Sequence, residues 1–155
     1  MREVFVRLIR ELGPLLDAEP PLMAEGEPEA VHLRLDGIDF MMAHRLMPRG
    51  MLSICCNFGP LPEPPPAAEL LRLLEINLTL GAAGAGTLGV DGWTRDVIYL
   101  FHVPLQGPSA HLLFEALSEA TRQAHAWRKG TPPLAAPAAP ASAMAPPMPL
   151  PDTLA

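Results

Sequence analysis

Clusters of metal-binding or nucleophilic side chains are scarce in this sequence of 155 residues. The only two cysteines are the neighbours Cys55 and Cys56. Adjacent Cα atoms lie about 3.8 Å apart, closer than the usual separation across a disulfide, so we interpret both as small buried hydrophobic residues. None of the five histidines stands in a metal-spaced pair such as His-Glu-x-x-His. The sequence therefore predicts no metal centre and no catalytic constellation.

Basic residues are also few, and they are scattered. The chain has 11 Lys and Arg against 17 Asp and Glu, a net charge of −6. Nucleic-acid binding needs a clustered basic face, and the sequence has none. No apolar run approaches the roughly 18 residues of a membrane span, and the charged N-terminus is unlike a signal peptide. We expect a bacterial cytoplasmic protein without nucleic-acid partners or a membrane span.

The run GAAGAGTLGVDG contains the spacing Gly84-x-Gly86-x-x-Gly89 of a dinucleotide-binding fingerprint. That fingerprint functions only where it follows a strand and opens a helix. Here the glycines follow a predicted helix and precede a predicted strand, and the lysine of a phosphate-binding Walker loop is missing. We therefore expect no nucleotide and no other cofactor. Gly81 is predicted to cap the helix, and the later three glycines to permit a tight reversal and close backbone approach.

The first part of the chain reads as one helix followed by three strands. Apolar residues recur at helical spacing over 3–16. Alternation with a period of two then begins at residue 31 and resumes over 38–46 and 51–58. Asp36-Gly37 is a hairpin signal between the first two strands. These strands predict an antiparallel meander.

The second part reads as helix, two strands and helix. The proline-rich stretch 59–66 is predicted to be a crossover without regular structure. A leucine-rich helix follows over 67–80, then strands at 87–90 and 96–105. Ser109 is the predicted N-cap of the last helix. The buried stripe of this helix is predicted to be Leu113, Leu117, Ala120, Ala124 and Trp127.

Two of these elements carry more apolar surface than one core requires. The helix at 67–80 is apolar on most of its circumference, and such helices are covered on two sides. The strand at 96–105 has no polar face, which is also typical of a strand covered twice. We therefore expect a second subunit to supply the additional cover. The predicted dimer interface consists of Leu70, Leu71, Leu74, Leu78, Ile98 and Leu100.

The segment LLRLLEINLTLGAAGAGTLGVD, residues 70–91, carries the most specific resemblance in the chain. A leucine-rich helix ends near an Asn, and a glycine-containing turn and a Leu-Gly-Val-Asp strand follow. The matching positions are Leu70, Leu74, Asn77, Gly81, Gly86, Leu88, Gly89 and Asp91. The chain resembles the class I type III secretion chaperones, the Tir-chaperone (CesT-like) family of small acidic bacterial proteins, over about residues 3–129.

The resemblance implies an α+β homodimer with the element order α-β-β-β-α-β-β-α, a twisted antiparallel sheet and helices packed on it. It also implies that the N-terminal segment of a secreted effector wraps around the dimer in extended form, a mode in which peptides add a strand to a sheet edge. The apolar sectors of the first helix and the hairpins are the predicted contact surface. The predicted effector-binding residues are Phe5, Leu8, Leu12, Leu33, Met41, Met42, Leu52 and Ile54.

Residues 131–155 have a different composition from the domain predicted over 1–130. They contain eight prolines, many alanines and one charged side chain. Ordering backbone costs about 1–2 kcal/mol per residue, and this tail has no periodic apolar face to offset that cost. We predict a disordered or polyproline-like extension.

The combined interpretation is a non-enzymatic cytoplasmic chaperone that keeps an effector segment extended and competent for export. Two alternatives stay open. A dimeric adaptor or regulator on the same fold would bind folded partners instead of an extended segment. A small-ligand enzyme with an unrecognised site would show a closed pocket with convergent polar groups.

Overall fold

A five-stranded antiparallel sheet with three α-helices forms the fold, in the predicted order α-β-β-β-α-β-β-α. The computed structural model describes residues 2–16, 30–44, 50–105, 107 and 109–130. The elements are α1 (Arg2–Leu12), a 3-10 helix (Gly13–Leu16), β1 (Ala30–Leu35), β2 (Ile38–Ala43), β3 (Met51–Pro60), α2 (Ala67–Ala83), β4 (Thr87–Val90), β5 (Asp96–Pro104) and α3 (Ala110–Arg128). None of the described helices is long and apolar enough to cross a membrane.

The sheet order is β1-β2-β3-β5-β4, so β1 and β4 are the edge strands. The β1–β2 hairpin turns at Asp36-Gly37, as predicted. Asp36 has a φ of 48° and Gly37 a φ of 73°, and positive φ at both positions is the requirement of the two-residue turn that matches strand twist. The register places Leu33 opposite Phe40 and Leu35 opposite Ile38.

The first helix is shorter than predicted. The α-helix ends at Leu12, and Gly13–Leu16 form a 3-10 turn instead of completing a helix to residue 16. Pro14 explains the difference, because proline has no N–H for the helical ladder and disfavours the α conformation in the residue before it.

The prediction that no regular element enters the stretch 59–66 is wrong at its start, because β3 continues through Pro60. β2 pairs with β3 only as far as Cys56, so the last part of β3 pairs with β5 alone. The Leu61 N–H donates to the Arg95 carbonyl at 3.0 Å. Successive backbone nitrogens of a strand point to opposite sides, so the nitrogen of Pro60, one residue earlier, points away from β5. On that side no described strand requires a hydrogen-bond donor, which makes proline tolerable at this position.

The helix caps agree with the sequence at α3 and differ at α2. The Leu112 N–H donates to the Ser109 side chain at 3.3 Å, so Ser109 is the N-cap of α3. The prediction that Gly81 caps α2 is wrong, since the helix continues to Ala83 and ends at Gly84, whose φ is 62°. Alanine is the best helix former, so the two alanines after Gly81 extend the helix by most of a turn.

The core lies between one face of the sheet and the helices α1 and α3. Alternate residues of β5, from Val97 to Val103, are buried in this core, and the residues between them are half-buried. The largest buried side chains include Phe5, Ile9, Leu12, Phe40, Met42, Leu52, Ile54, Phe58, Tyr99 and Leu113. The α3 stripe of Leu113, Leu117, Ala120 and Ala124 is buried, whereas Trp127 is half-buried.

Two predictions concern residues outside the described part of the chain. One is the tail at 131–155, with the domain boundary at residue 130. The other is the end of the second predicted strand, at residues 45–46. Both stay predictions.

Candidate protein-binding surfaces

The outer side of α2 carries four exposed leucines. Their exposed fractions are 40% for Leu70, 58% for Leu71, 67% for Leu74 and 78% for Leu78. Leu70, Leu74 and Leu78 recur every four residues and therefore lie in one row along the helix. We call these four residues the leucine strip. Leucines of this exposure, contiguous on one helix face, are typical of a protein-binding surface.

Asn77 fixes the rotation of α2 that turns the leucine strip outward. Its Nδ2 donates to the Leu88 carbonyl at 2.8 Å, and its Oδ1 accepts the Leu88 N–H at 2.6 Å. Leu88 lies in the edge strand β4, so the amide of Asn77 takes the place of a neighbouring strand. With Asn77 against β4, Leu73 and Leu80 are buried.

The glycines after α2 allow the chain to return closely over the sheet. A Cβ on Gly86 would lie 2.5 Å from the Leu100 carbonyl oxygen, and Gly86 has a φ of 130°. The Tyr99 hydroxyl donates to the Ala85 carbonyl at 2.6 Å in the same turn. The predicted reversal and close approach are thus confirmed at Gly84 and Gly86. At Gly89 the prediction is wrong, because a Cβ there would meet nothing within 4 Å.

The sheet face opposite α1 and α3 has no described helix on it. Residues paired across antiparallel strands point to the same side, and Met41 pairs with Cys55, which pairs with Leu100. Ile98 and His102 lie two residues from Leu100 on β5 and share its face. We call these five residues the open sheet face, and all five are half-buried.

The buried Ser53 pairs with His102 of the open sheet face. The Ser53 Oγ lies 3.1 Å from the His102 Nδ1, and neither side chain has another hydrogen-bond partner within the described residues. Burial raises the pKa of the Cys55 thiol, and more strongly that of Cys56. Both thiols are therefore protonated at neutral pH and are poor nucleophiles. The described residues include no group of three or more His, Cys, Asp or Glu able to hold a metal ion.

The family model of the Tir chaperone protein (CesT) family matches residues 7–128, most of the chain. The chain belongs to this family. None of the curated proteins matches the chain with significant sequence similarity.

Solved structures of similar fold agree with the CesT family assignment. A chain of the ExsC–ExsE complex aligns with a TM-score of 0.69 at 15% identity, over 85% of this chain and 96% of its own. A chain of the HopA1–SchA chaperone–effector complex aligns with a TM-score of 0.65 at 15% identity, over 83% of this chain and 95% of its own. A chain of the complex between the Yersinia pestis type III secretion chaperone SycH and a stable fragment of YscM2 aligns with a TM-score of 0.59 at 17% identity. The alignment covers 77% of this chain and 95% of its own. At these identities the likeness concerns the fold.

In this CesT family member, the eight residues predicted to bind an effector do not form one surface. Six of them are almost fully buried in the core: Phe5, Leu8, Leu12, Met42, Leu52 and Ile54. Leu33 and Met41 are half-buried and lie on opposite faces of the sheet. The described surface thus offers only Leu33 and Met41 to a partner, and their role in binding stays a prediction.

The two edges of the CesT-family sheet differ in how they are covered. At β4, Asn77 bonds both backbone groups of Leu88. At β1, no described element pairs with the outer edge. Leu35 and Ile38 flank a two-residue turn and share ladder hydrogen bonds, so the N–H groups of His32 and Arg34 point outward. The outer edge of β1 is therefore able to accept another strand.

Sequence reasoning missed one exposed aromatic residue. Trp93 is 96% exposed in the turn between β4 and β5. The Asp91 carboxylate accepts the backbone N–H groups of Trp93 and Thr94 at 2.8 and 2.9 Å, which holds the turn. The bonds from Thr94 and Trp93 lower the pKa of Asp91. An Asp-Gly pair followed by Trp was the signal in the sequence.

Proposed function

We propose that this protein is a non-enzymatic chaperone of a type III secretion effector and acts as a homodimer in the bacterial cytoplasm. Membership of a chaperone family supports the general function. The exposed leucine strip of α2 is the observation that carries the dimer, since apolar side chains of this size gain about 1.5–3 kcal/mol each on full burial.

The proposed dimer brings the leucine strip of one subunit against the partner. A two-fold interface is self-complementary, so one apolar row on each chain suffices to build it. Asn77 supports this proposal because its two hydrogen bonds to Leu88 orient α2 with the strip outward. We include Ile98 and Leu100 of the open sheet face in the interface, since both are apolar and half-buried in the single chain.

The proposed effector segment is extended and pairs with the outer edge of β1. Strand addition uses backbone hydrogen bonds for affinity and side-chain pockets for specificity. The outward N–H groups of His32 and Arg34 would bond the added strand. Leu33 lies on this edge strand and Met41 on the neighbouring strand β2; they face opposite sides of the sheet, and both are half-buried. The HopA1–SchA chaperone–effector complex, which contains a chain of this fold, supports effector binding on this fold.

Substitution of His32 by proline is a direct test of strand addition. His32→Pro removes an outward donor without removing a bond between β1 and β2, so we expect effector capture to fall while the fold and the dimer persist. His32→Ala is the matched control, because it removes the imidazole and keeps the N–H. Capture from a secretion-competent bacterial lysate, followed by limited proteolysis of the captured protein, is the measurement.

The outcome also separates the proposed chaperone from an adaptor. A contiguous N-terminal segment protected by the parent protein and by His32→Ala, and lost with His32→Pro, is the expected result. Capture of a folded domain alone, with equal yield for all three proteins, would overturn the chaperone proposal and favour the adaptor.

A further inference from the structure

The tip of the β1–β2 hairpin extends beyond the part of the sheet in which β2 pairs with β3. That pairing reaches only Phe40, which lies opposite Cys56. β1 and β2 continue to pair with each other as far as Leu35 and Ile38. Residues 34–39, which we call the hairpin tip, therefore have no ladder partner on β3 within the described strands.

The end of α3 contacts both residues of the turn in the hairpin tip. The His125 Nε2 lies 2.9 Å from the Asp36 Oδ2. An ionised carboxylate only accepts hydrogen bonds, so His125 is the donor. One turn later on the helix, the Arg128 Nη1 donates to the Gly37 carbonyl at 3.3 Å. The two contacts join residues 89 and 91 positions apart in the sequence, at the turn that the β3 ladder does not reach.

Arg128 also bonds the strand from which the hairpin tip separates. Its Nε donates to the Phe58 carbonyl at 3.1 Å, and its Nη2 donates to the Asn57 carbonyl at 3.4 Å. One guanidinium thus spans from β3 to the hairpin tip, in the place where a ladder is missing. The planar fork of arginine presents several N–H donors in fixed directions, whereas the ammonium of lysine is a compact point charge.

The backbone of β3 leaves room for this side chain at Gly59. A Cβ there would lie 3.3 Å from the Arg128 Nε and 3.6 Å from its Cγ, and Gly59 has a φ of 107°. Any other residue would be strained at this φ and would crowd the guanidinium. The path of β3 and the position of the Arg128 side chain are thus fitted to each other.

We propose that Arg128, assisted by His125, is the positioning residue of the sheet edge that accepts an effector strand. The inference rests on the proposed strand addition at β1, where the outward N–H of Arg34 belongs to the hairpin tip and that of His32 does not. Burial of apolar side chains is non-directional, so it holds the tip on the core without fixing its angle. Hydrogen bonds are directional, so the bonds from α3 fix that angle and the line of donors that an added strand must match.

Hydrogen exchange in the full-length chain tests the positioning without an effector. Arg128→Ala should accelerate exchange at the Leu35 and Ile38 amides, which are ladder-bonded beside the turn, by about threefold to tenfold, the range that a net hydrogen-bond contribution implies. The Val31 and Met42 amides lie where β2 also pairs with β3, and they should keep the parent rate. Arg128→Lys should behave like Arg128→Ala, because an ammonium does not reproduce the fork.

Arg122→Ala is the matched control for the exchange measurement. It removes a guanidinium from the same helix, but one that bonds Glu119 of α3 and not the hairpin tip. The tip amides should therefore keep the parent rate in this variant.

Three exchange results would overturn the proposal. The first is an equal rate at the tip amides in the parent and in Arg128→Ala. The second is acceleration by the same factor inside and outside the hairpin tip, which makes Arg128 a general stabiliser of the fold. The third is full restoration of the parent rates by Arg128→Lys, which means that the charge acts and not the fork.

Effector capture separates this inference from the function on which it rests. In capture from the secretion-competent lysate with limited proteolysis, Arg128→Ala should lower the yield of the protected segment about threefold to tenfold, and Arg122→Ala should not. If His32→Pro abolishes capture and Arg128→Ala leaves it unchanged, the positioning role is wrong and strand addition stands. If His32→Pro leaves capture unchanged, strand addition at β1 is wrong and Arg128 has no strand to position.

Discussion

The two long helices, α2 and α3, are similar in length and differ in what their apolar residues do. On α3, Leu113, Leu117 and Ala124 have 0% exposure. The charged residues Glu115 and Arg122 of the same helix are exposed. On α2 only Leu73 and Leu80 are buried, and Leu78 is 78% exposed. The helix richer in leucine thus contributes less to the core of its own chain.

The difference shows that apolar content and apolar pattern carry separate information. A single apolar stripe at helical spacing is buried completely by one packing surface, which is the case for α3. An apolar sector wider than one stripe leaves a remainder, and on α2 this remainder is the leucine strip. Changes on the two helices should therefore affect different measurements.

The largest expected effect is on the stability of the single chain, from α3. Leu117→Ala should lower the free energy of unfolding by about 2–5 kcal/mol, because it leaves a cavity in the core. Leu112→Ala is the matched control on the same helix, where Leu112 is 48% exposed. Denaturant unfolding measures both, and similar losses for the two variants would contradict the division of α3 into buried and exposed sides.

On α2 the corresponding change should act on association. Leu78→Asp should weaken the dimer about 30-fold or more, the effect of losing about 2 kcal/mol at an interface hot spot. The control is Thr79→Asp, which places the same charge one residue away on the polar side of the helix. Sedimentation equilibrium measures the dimer constant, and an unchanged constant for Leu78→Asp would remove Leu78 from the interface.

Asn77 links α2 to the sheet, and its loss should have an intermediate effect. Asn77→Ala should cost about 1–3 kcal/mol of unfolding free energy, because the backbone groups of Leu88 lose their partners. Hydrogen exchange at the Leu88 amide should accelerate in the variant. Thr79→Ala, which removes an exposed hydroxyl from the same helix, should change neither measurement. Unaltered exchange at Leu88 in Asn77→Ala would argue against the edge contact.

The smallest expected effect depends on pH and concerns α3. The hydrogen bond from Arg122 lowers the pKa of Glu119. A lowered pKa in the folded state stabilises the fold above the ordinary carboxyl value of about 4.3 and ceases to do so as the pH falls through the folded value. Glu119→Gln should therefore be less stable than the parent at pH 7, with a smaller loss of unfolding free energy than Asn77→Ala. The difference in unfolding free energy between the parent and Glu119→Gln should disappear in acid.

The control for this pH dependence is Glu75→Gln on α2, where the side chain is exposed. Unfolding free energies near pH 7 and about pH 3, below the ordinary carboxyl range, are the measurement. A gap between parent and Glu119→Gln that widens in acid would reverse the predicted sign.

The sequence by itself determined the elements, their order and the membership of the CesT family. Periods of 3.6 and 2 are local properties, so the helices and strands were predictable. The hairpin at Asp36-Gly37 was predictable too, because its turn requires positive φ at two adjacent residues. The surplus of leucine on α2 was equally visible in the sequence. In the single chain these leucines are exposed, and their role in a dimer stays a prediction.

Only the tertiary structure decided which apolar residues remain at the surface. Phe5, Leu8 and Leu12 have the same pattern whether they line a groove or a core, because periodicity identifies a face and not what covers it. The outward rotation of α2 depends on Asn77 bonding a strand 11 residues later. Such contacts arise when packed elements meet, and no local pattern encodes them.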